Sequence, residues 1–170
     1  MSVLFFCREA HPVTGPPPLP PGMTMRVWSP ARDGFPPAPL WRRNILWWLM
    51  DRARLFARRD FAEITLWQGD DLLHRLILTP RWYRFPFMAP GDLQVGDIWT
   101  HPAVRGQGLA RLGVGQALAL AQGRVWYVTG TQHRVSIALA MGMGFRPAGH
   151  GYRSRPFALH AAGRFIRVSP

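Results

Sequence analysis

The stretch HPAVRGQGLARLGVGQALALA, residues 101–121, decides the fold. A proline follows a β-rich run, Gly106 and Gly108 stand one residue apart behind Arg105, and small and apolar residues continue without an acid. A helix that begins here leaves its first backbone N–H groups without intrahelical partners and carries partial positive charge at that end. Glycines let the backbone turn sharply and approach an anion closely, because no Cβ intervenes. An arginine at the lip adds a planar, permanently charged donor. Arg105–Ala110 therefore reads as a phosphate cradle between a strand and a helix. It is neither a Walker loop nor a dinucleotide fingerprint, since the sequence has no G-K-S/T and no G-x-G-x-x-G here.

Working outward, LQVGDIWTH (93–101) alternates as a strand and RVWYV (124–128) reads as a short buried one. TQHRVSIALAMGM (131–143) predicts a helix, and FRPAGHGY (145–152) and FALHAAGRFIRV (157–168) two closing strands. Upstream, AEITLWQ (62–68) and LLHRLILT (72–79) form a hairpin across QGDD, and MRVWSP (25–30) is a strand ended by proline. LWRRNILWWLMDRARLFARRD (40–60) predicts a helix whose Trp41, Ile45, Trp48, Leu49 and Phe56 recur near 3.6-residue spacing, the face expected to pack on a sheet. HPVTGPPPLPPG (11–22) reads as an extended spacer. The expected organisation is an N-terminal Pro-rich arm over 1–24 and one domain over 25–170. Its fold class is α/β, α+β layered, around one mixed sheet.

Thr100–Ala110 resembles the V-x-P-x-x-R-G-x-G-[IL]-[AG] pattern of the GNAT superfamily of N-acetyltransferases, with Thr in place of Val. His133–Phe145 resembles that family's N-x-x-S-x-x-L-Y-x-K-x-G-F block, with Ser136, Leu139, Gly144 and Phe145 matching. The resemblance implies a GNAT-like sheet of about six to seven strands with flanking helices and a splayed central strand pair. It implies acetyl-CoA as co-substrate. The pyrophosphate would lie on Arg105, Gly106, Gln107, Gly108, Leu109 and Ala110, the pantetheine arm along Ile98, Trp99 and Thr100, with His133 and Ser136 beside it. Three positions depart from the pattern: His133 replaces Asn, Gly142 replaces Lys, and Ala140 stands where many members carry the Tyr that protonates the leaving thiolate. Tyr127 is a replacement acid to weigh against core packing.

All nine acids precede residue 98, so a carboxylate base for an acceptor amine has to come from that part. Asp97, on the strand expected to hold the co-substrate, and Glu63, on the hairpin, are the candidates; a histidine or a water are the other options. The aromatic loop WYRFPFM (82–88) suits stacking on a sugar ring, as an amino sugar acceptor would need, and equally suits hydrophobic capping.

The net charge is +12, carried by 21 arginines without a lysine, and the part after Asp97 holds nine of them. A polyanionic partner or compositional bias both explain this. The function expected is acyl-CoA-dependent transfer of an acetyl group to a primary amine of a small molecule. The alternatives are a CoA-binding GNAT-like protein with weak or no catalysis, and a basic nucleic-acid-binding module. No RNA- or DNA-binding motif accompanies the charge, so no specific nucleic acid is expected. A lone Cys7 excludes an intrachain disulfide and a cysteine-based metal cluster, and no metal site is expected. The sequence shows neither a signal-peptide pattern nor an 18-residue apolar run, which predicts a cytoplasmic protein. Peripheral membrane contact through the basic, Trp-rich helix at 40–60 and a homodimer are the further partner expectations.

Overall fold

The computed structural model describes residues 2–10, 16–154 and 163–169. Among these residues, eight strands form one sheet in the order β2-β3-β4-β5-β6-β1-β7-β8. They are β1 (Ser2–Ala10), β2 (Met23–Trp28), β3 (Ala62–Gln68), β4 (Asp71–Pro80), β5 (Leu93–Thr100), β6 (Gly123–Gly130), β7 (Arg146–Arg153) and β8 (Phe165–Ser169). The helices are α1 (Pro30–Asp33), α2 (Trp41–Arg52), α3 (Leu109–Leu120) and α4 (Arg134–Gly142), with a 3₁₀ turn at Pro102–Val104 before α3. The sheet is mixed: β5 and β6 run parallel and every other neighbouring pair is antiparallel. The layered α/β architecture is the expected one, with one strand more than the upper expectation. The part of the last expected strand over 157–162 lies outside the described residues.

The extra strand is β1, which corrects the reading of 1–24 as an arm. Phe5 and Phe6 alternate to opposite faces and both are buried. The strand lies between β6 and β7, pairing Phe6 with Tyr127 on one side and with Pro147 on the other. The strand spans Ser2–Ala10. The chain must then reach β2 at the far edge, about 24 Å away at five strand spacings, well within the ~40 Å reach of twelve residues. The segment crosses α3, where Gln116 Nε2 donates to the Pro17 carbonyl at 2.6 Å. Pro17 Cγ stands 2.8 Å from where a Cβ on Gly115 would be, so that helical glycine admits the crossing.

Two cores follow from the pleat. Ile64, Leu76, Leu78, Leu93, Val95, Val125 and Tyr127 face α3 and α4, meeting Val114, Ala117, Leu118, Ala140 and Phe145. On the other face Trp28, Phe61 and Ile77 meet Met50 of α2 and Phe56 beyond it. The aromatic loop 82–88 closes that second face: Phe85 and Met88 are buried beside Trp126. Trp82, Phe85 and Phe87 cap a core, the second of the two roles considered for the loop, while Tyr83 is exposed.

Helix α2 departs in part from its sequence reading: Trp48 and, beyond the helix end, Phe56 do pack on the core, while Trp41 and Leu49 do not. Arg43, Asn44, Trp47, Met50 and Asp51 occupy the inward arc, while Trp41, Leu46 and Leu49 are exposed. The inward polar residues have partners that hold them there. Asn44 Nδ2 donates to Glu63, Asp51 accepts from Arg59 at 2.7 Å, and Trp47 stacks on Phe61 at 5.1 Å between ring centres.

Candidate active site

Strands β5 and β6 pair only at Leu93–Val125, Gln94–Trp126 and Val95–Tyr127. Beyond Val95 they separate, and a cleft of about 130 Å³ opens between them, lined by Gly96, Asp97 and Ile98 on one side and Tyr127, Val128 and Thr129 on the other, with Ser136 of α4 across its mouth. The cause of the divergence is local. The β4–β5 register slips between Arg75–Trp99 and Ile77–Gly96, so β5 bulges at Asp97, whose φ is +51°. A left-handed residue other than glycine is uncommon, aspartate tolerates it better than most, and a bulge bends the strand that carries it. Alternate peptide groups of 96–100 on the open edge face the cleft without a partner strand.

The cleft ends at the turn into α3. Arg105 N–H closes the 3₁₀ turn on the Pro102 carbonyl at 3.4 Å and Leu112 N–H returns to Gly108 O at 3.0 Å. The amides between them, Gly106 to Arg111, have no backbone acceptor among the described residues. Gly106 and Gly108 sit at φ +80° and +82°, and space above both is open, with no atom within 4 Å of a would-be Cβ. Leu109 is buried and pins the helix start to the core. Arg105 is exposed, its Nε donating to the Thr100 carbonyl at 3.2 Å, so its guanidinium stands at the lip. The structure thus brings Asp97, Ile98 and Ser136 around one opening, with Thr100 and Arg105–Ala110 following it along the chain. Trp99 is held aside against Arg75 and His101, and His133 is exposed at the α4 start without a capping hydrogen bond from its ring.

A groove of about 940 Å³ runs from Gly108 between α3 and the end of α4. Arg8 of β1, Arg111 of α3 and Arg146 of β7 line it. Arg8 donates to the Met143 carbonyl at the C-terminus of α4, a favourable place for a cation. Arg111 Nη2 lies 2.7 Å from where a Cβ on Gly142 would stand. The guanidinium of α3 therefore occupies the space of the side chain that the family pattern places at 142 as a lysine. None of these three arginines is marked by a motif; α3, α4, β1 and β7 have to pack before they converge.

The two candidate carboxylates differ sharply. Asp97 borders the cleft, is 43% exposed and pairs with Arg43 and with Arg75 Nη1, the latter at 3.2 Å. Glu63 is 1% exposed and lies on the α2 face, two strands from β5, where it forms the floor of a separate cavity lined by Trp28, Phe35 and Trp67. Its partners are Asn44 and, at 3.5 Å, Arg43, which links it to Asp97. Burial pushes the Glu63 carboxyl up, opposed by the Asn44 and Arg43 contacts. It is placed as a positioning group for Arg43 and does not border the cleft. Tyr127 hydrogen-bonds Ser136, packs edge-on to Phe145 at 5.7 Å, and has its phenol pushed up by burial. Ala140 is fully buried among core side chains, so a tyrosine at that position would have no room.

The pattern of the acetyltransferase (GNAT) family matches residues 24–145, most of the chain. No curated protein matches by sequence. Among solved structures, a tandem GNAT protein from the clavulanic acid biosynthesis pathway aligns with 14% identity and TM-score 0.56, covering 86% of this chain and 50% of that one. A putative GNAT-family acetyltransferase from Novosphingobium aromaticivorans aligns with 17% identity and TM-score 0.54, covering 88% and 62%. A GCN5-related N-acetyltransferase from Sphaerobacter thermophilus aligns with 14% identity and TM-score 0.55, covering 88% and 49%. This chain spans about half to three-fifths of the length of these structures. An opened parallel strand pair lies beside a glycine-rich helix start in one mixed sheet. The chain belongs to the GNAT acetyltransferase family, whose members use acetyl-CoA.

Proposed function

We propose that this protein transfers an acetyl group from acetyl-CoA to a primary amine of a small molecule. The observation that carries the reading is the parting of β5 from β6 after Val95 next to the free amides of Gly106–Arg111. The residues present fit the co-substrate: the amides and Arg105 suit a pyrophosphate, the cleft suits a thioester arm, and the groove with Arg8, Arg111 and Arg146 suits the remaining phosphorylated end.

Asp97 takes the proton that the substrate ammonium must lose, directly or through a water. The amine nitrogen then forms its bond to the acyl carbon as the carbon–sulfur bond breaks, and the nitrogen's second proton passes through water to the tyrosinate left when Tyr127 protonates the thiolate. Tyr127, held by Ser136, donates its phenolic proton to the departing thiolate; its raised pKa keeps that proton in place at neutral pH. Backbone N–H groups on the open edge of β5 are positioned to receive the developing oxyanion. Arg43 and Arg75 flank Asp97 with donors that suit a hydroxylated amine, and amino sugars are the first acceptors to test.

Thermal denaturation with acetyl-CoA, CoA and longer acyl-CoAs tests the binding step, because a ligand that binds only the native state raises Tm by mass action. Release of free CoA in the presence of an amine panel tests turnover. Stabilisation without CoA release would favour a CoA-binding protein lacking catalysis, and no stabilisation by any CoA species would end the reading.

A further inference from the structure

Helix α2 exposes what an isolated soluble protein normally buries. Trp41 is 40% exposed, Leu46 58%, Leu49 50% and the neighbouring Phe35 55%. At 100° per residue, Trp41, Ile45 and Leu49 fall on one continuous outward arc with Leu46 at its edge, and Trp48, half-buried against the core, stands on its flank. Phe35 extends that arc, its ring edge-on to Trp48 at 5.4 Å. The cations on this arc are Arg42 and Arg52, which lie over the rings of Trp41 at 5.4 Å and Trp48 at 5.7 Å. The single acid of the helix, Asp51, is turned inward and paired with Arg59. The outward face thus combines aliphatic side chains, tryptophans and arginines, with no carboxylate.

We infer that the outward face of α2 is a docking surface for an anionic lipid bilayer. Arginine and tryptophan bordering leucines are the chemistry of a helix lying in a headgroup interface, the rings at the boundary and the guanidiniums on lipid phosphates. Charge complementarity separates this occupant from a second copy. A two-fold contact through this face would bring Arg42 and Arg52 of both copies together with no acid to receive them. The helix is about 18 Å long. No helix among the described residues is long and apolar enough to cross a bilayer, so the contact lies on the surface. The inference is independent of the acyl-transfer reading.

Flotation with vesicles of mixed phosphatidylglycerol and phosphatidylcholine, against pure phosphatidylcholine, at about 0.15 M salt tests it. The protein is expected to float with the anionic vesicles only. Leu46→Ser with Leu49→Ser, which leaves the charge unchanged, should lower binding at least tenfold. Arg42→Gln with Arg52→Gln should do likewise. Arg124→Gln with Arg167→Gln, an equal charge loss elsewhere, should change it less than twofold. Circular dichroism of each variant shows that the fold is kept. Absence of flotation overturns the inference. So does binding that falls equally with both arginine pairs and ignores the serine pair, which would report net charge alone. A dimer in light scattering that the serine pair dissolves also overturns it, and assigns the face to a second copy.

Discussion

Gly108 stands at φ +82°, a conformation that side chains rarely adopt, at the point where α3 begins. Gly108→Val is expected to strain the turn, block the space above it and abolish the Tm rise with CoA. Tyr127 supports a second test. Tyr127→Phe keeps the ring against Phe145 and removes the proton, so kcat should fall by about 10²-fold, the low end for an acid–base group, with CoA stabilisation retained. Arg111 supports a third. Arg111→Ala should weaken CoA roughly tenfold, the scale of one charge-assisted hydrogen bond. Adding Gly142→Lys should restore part of it, because both side chains fill the same space. The motif made Arg105–Ala110 legible residue by residue. The substitute for the missing lysine was not legible, because Arg111 reaches position 142 only through the packing of α3 on α4. Asp97 could be named as a candidate, but its left-handed backbone and two guanidinium partners arise from a bulge that no local pattern announces.

Elements were legible where hydrophobic period and turn chemistry agreed. The hairpin of β3 and β4 and the strand–turn–helix at 93–120 have nearly their expected bounds. Helix α2 was legible in existence and only in part in orientation. Its periodicity marked an apolar stripe correctly, but Trp47 and Met50 supply a second apolar arc, and polar contacts at Asn44 and Asp51 decide which arc turns inward. A glycine inside α3 has a comparable tertiary origin. Gly113 costs the helix about 1 kcal/mol relative to alanine. It faces His74, whose Nε2 lies 2.3 Å from a would-be Cβ. Gly113→Ala is expected to destabilise by about 1–3 kcal/mol through overpacking, and His74→Ala in the same chain to relieve part of that loss, read from urea midpoints. His74 also predicts a pH dependence. Burial lowers its imidazole to about 4, with Nδ1 against Thr100 Oγ1 at 2.9 Å. The unfolded chain takes up this proton near pH 6.5 while the folded chain resists it. This residue's contribution is therefore full above about 6.5 and falls as pH drops toward 4, by about 3 kcal/mol. Glu63 acts in the opposite sense, its raised carboxyl favouring the folded state at low pH. The difference between wild type and His74→Gln at pH 7.5 and pH 5 isolates the histidine.

At the scale of the molecule, the family match begins at residue 24, yet the sheet does not close without residues 2–10. Removing that segment should leave β6 and β7 as facing unpaired edges and strip Phe5 and Phe6 from the two cores. The truncated protein is expected to lose cooperative thermal unfolding and to aggregate, measured by calorimetry and light scattering. Alternation in SVLFFCREA was available in the sequence, but a short apolar run followed by prolines reads as easily as a free end. Its place in the sheet depends on strands more than a hundred residues away. That separation in sequence has a consequence during translation. Residues 2–10 leave the ribosome on the order of ten seconds before 123–153 have been made. An amphipathic β-segment must stay unattached, and out of wrong partnerships, until the strands on both its flanks exist, so this chain should depend on chaperones more heavily than a fold of its size with neighbouring strands consecutive in order.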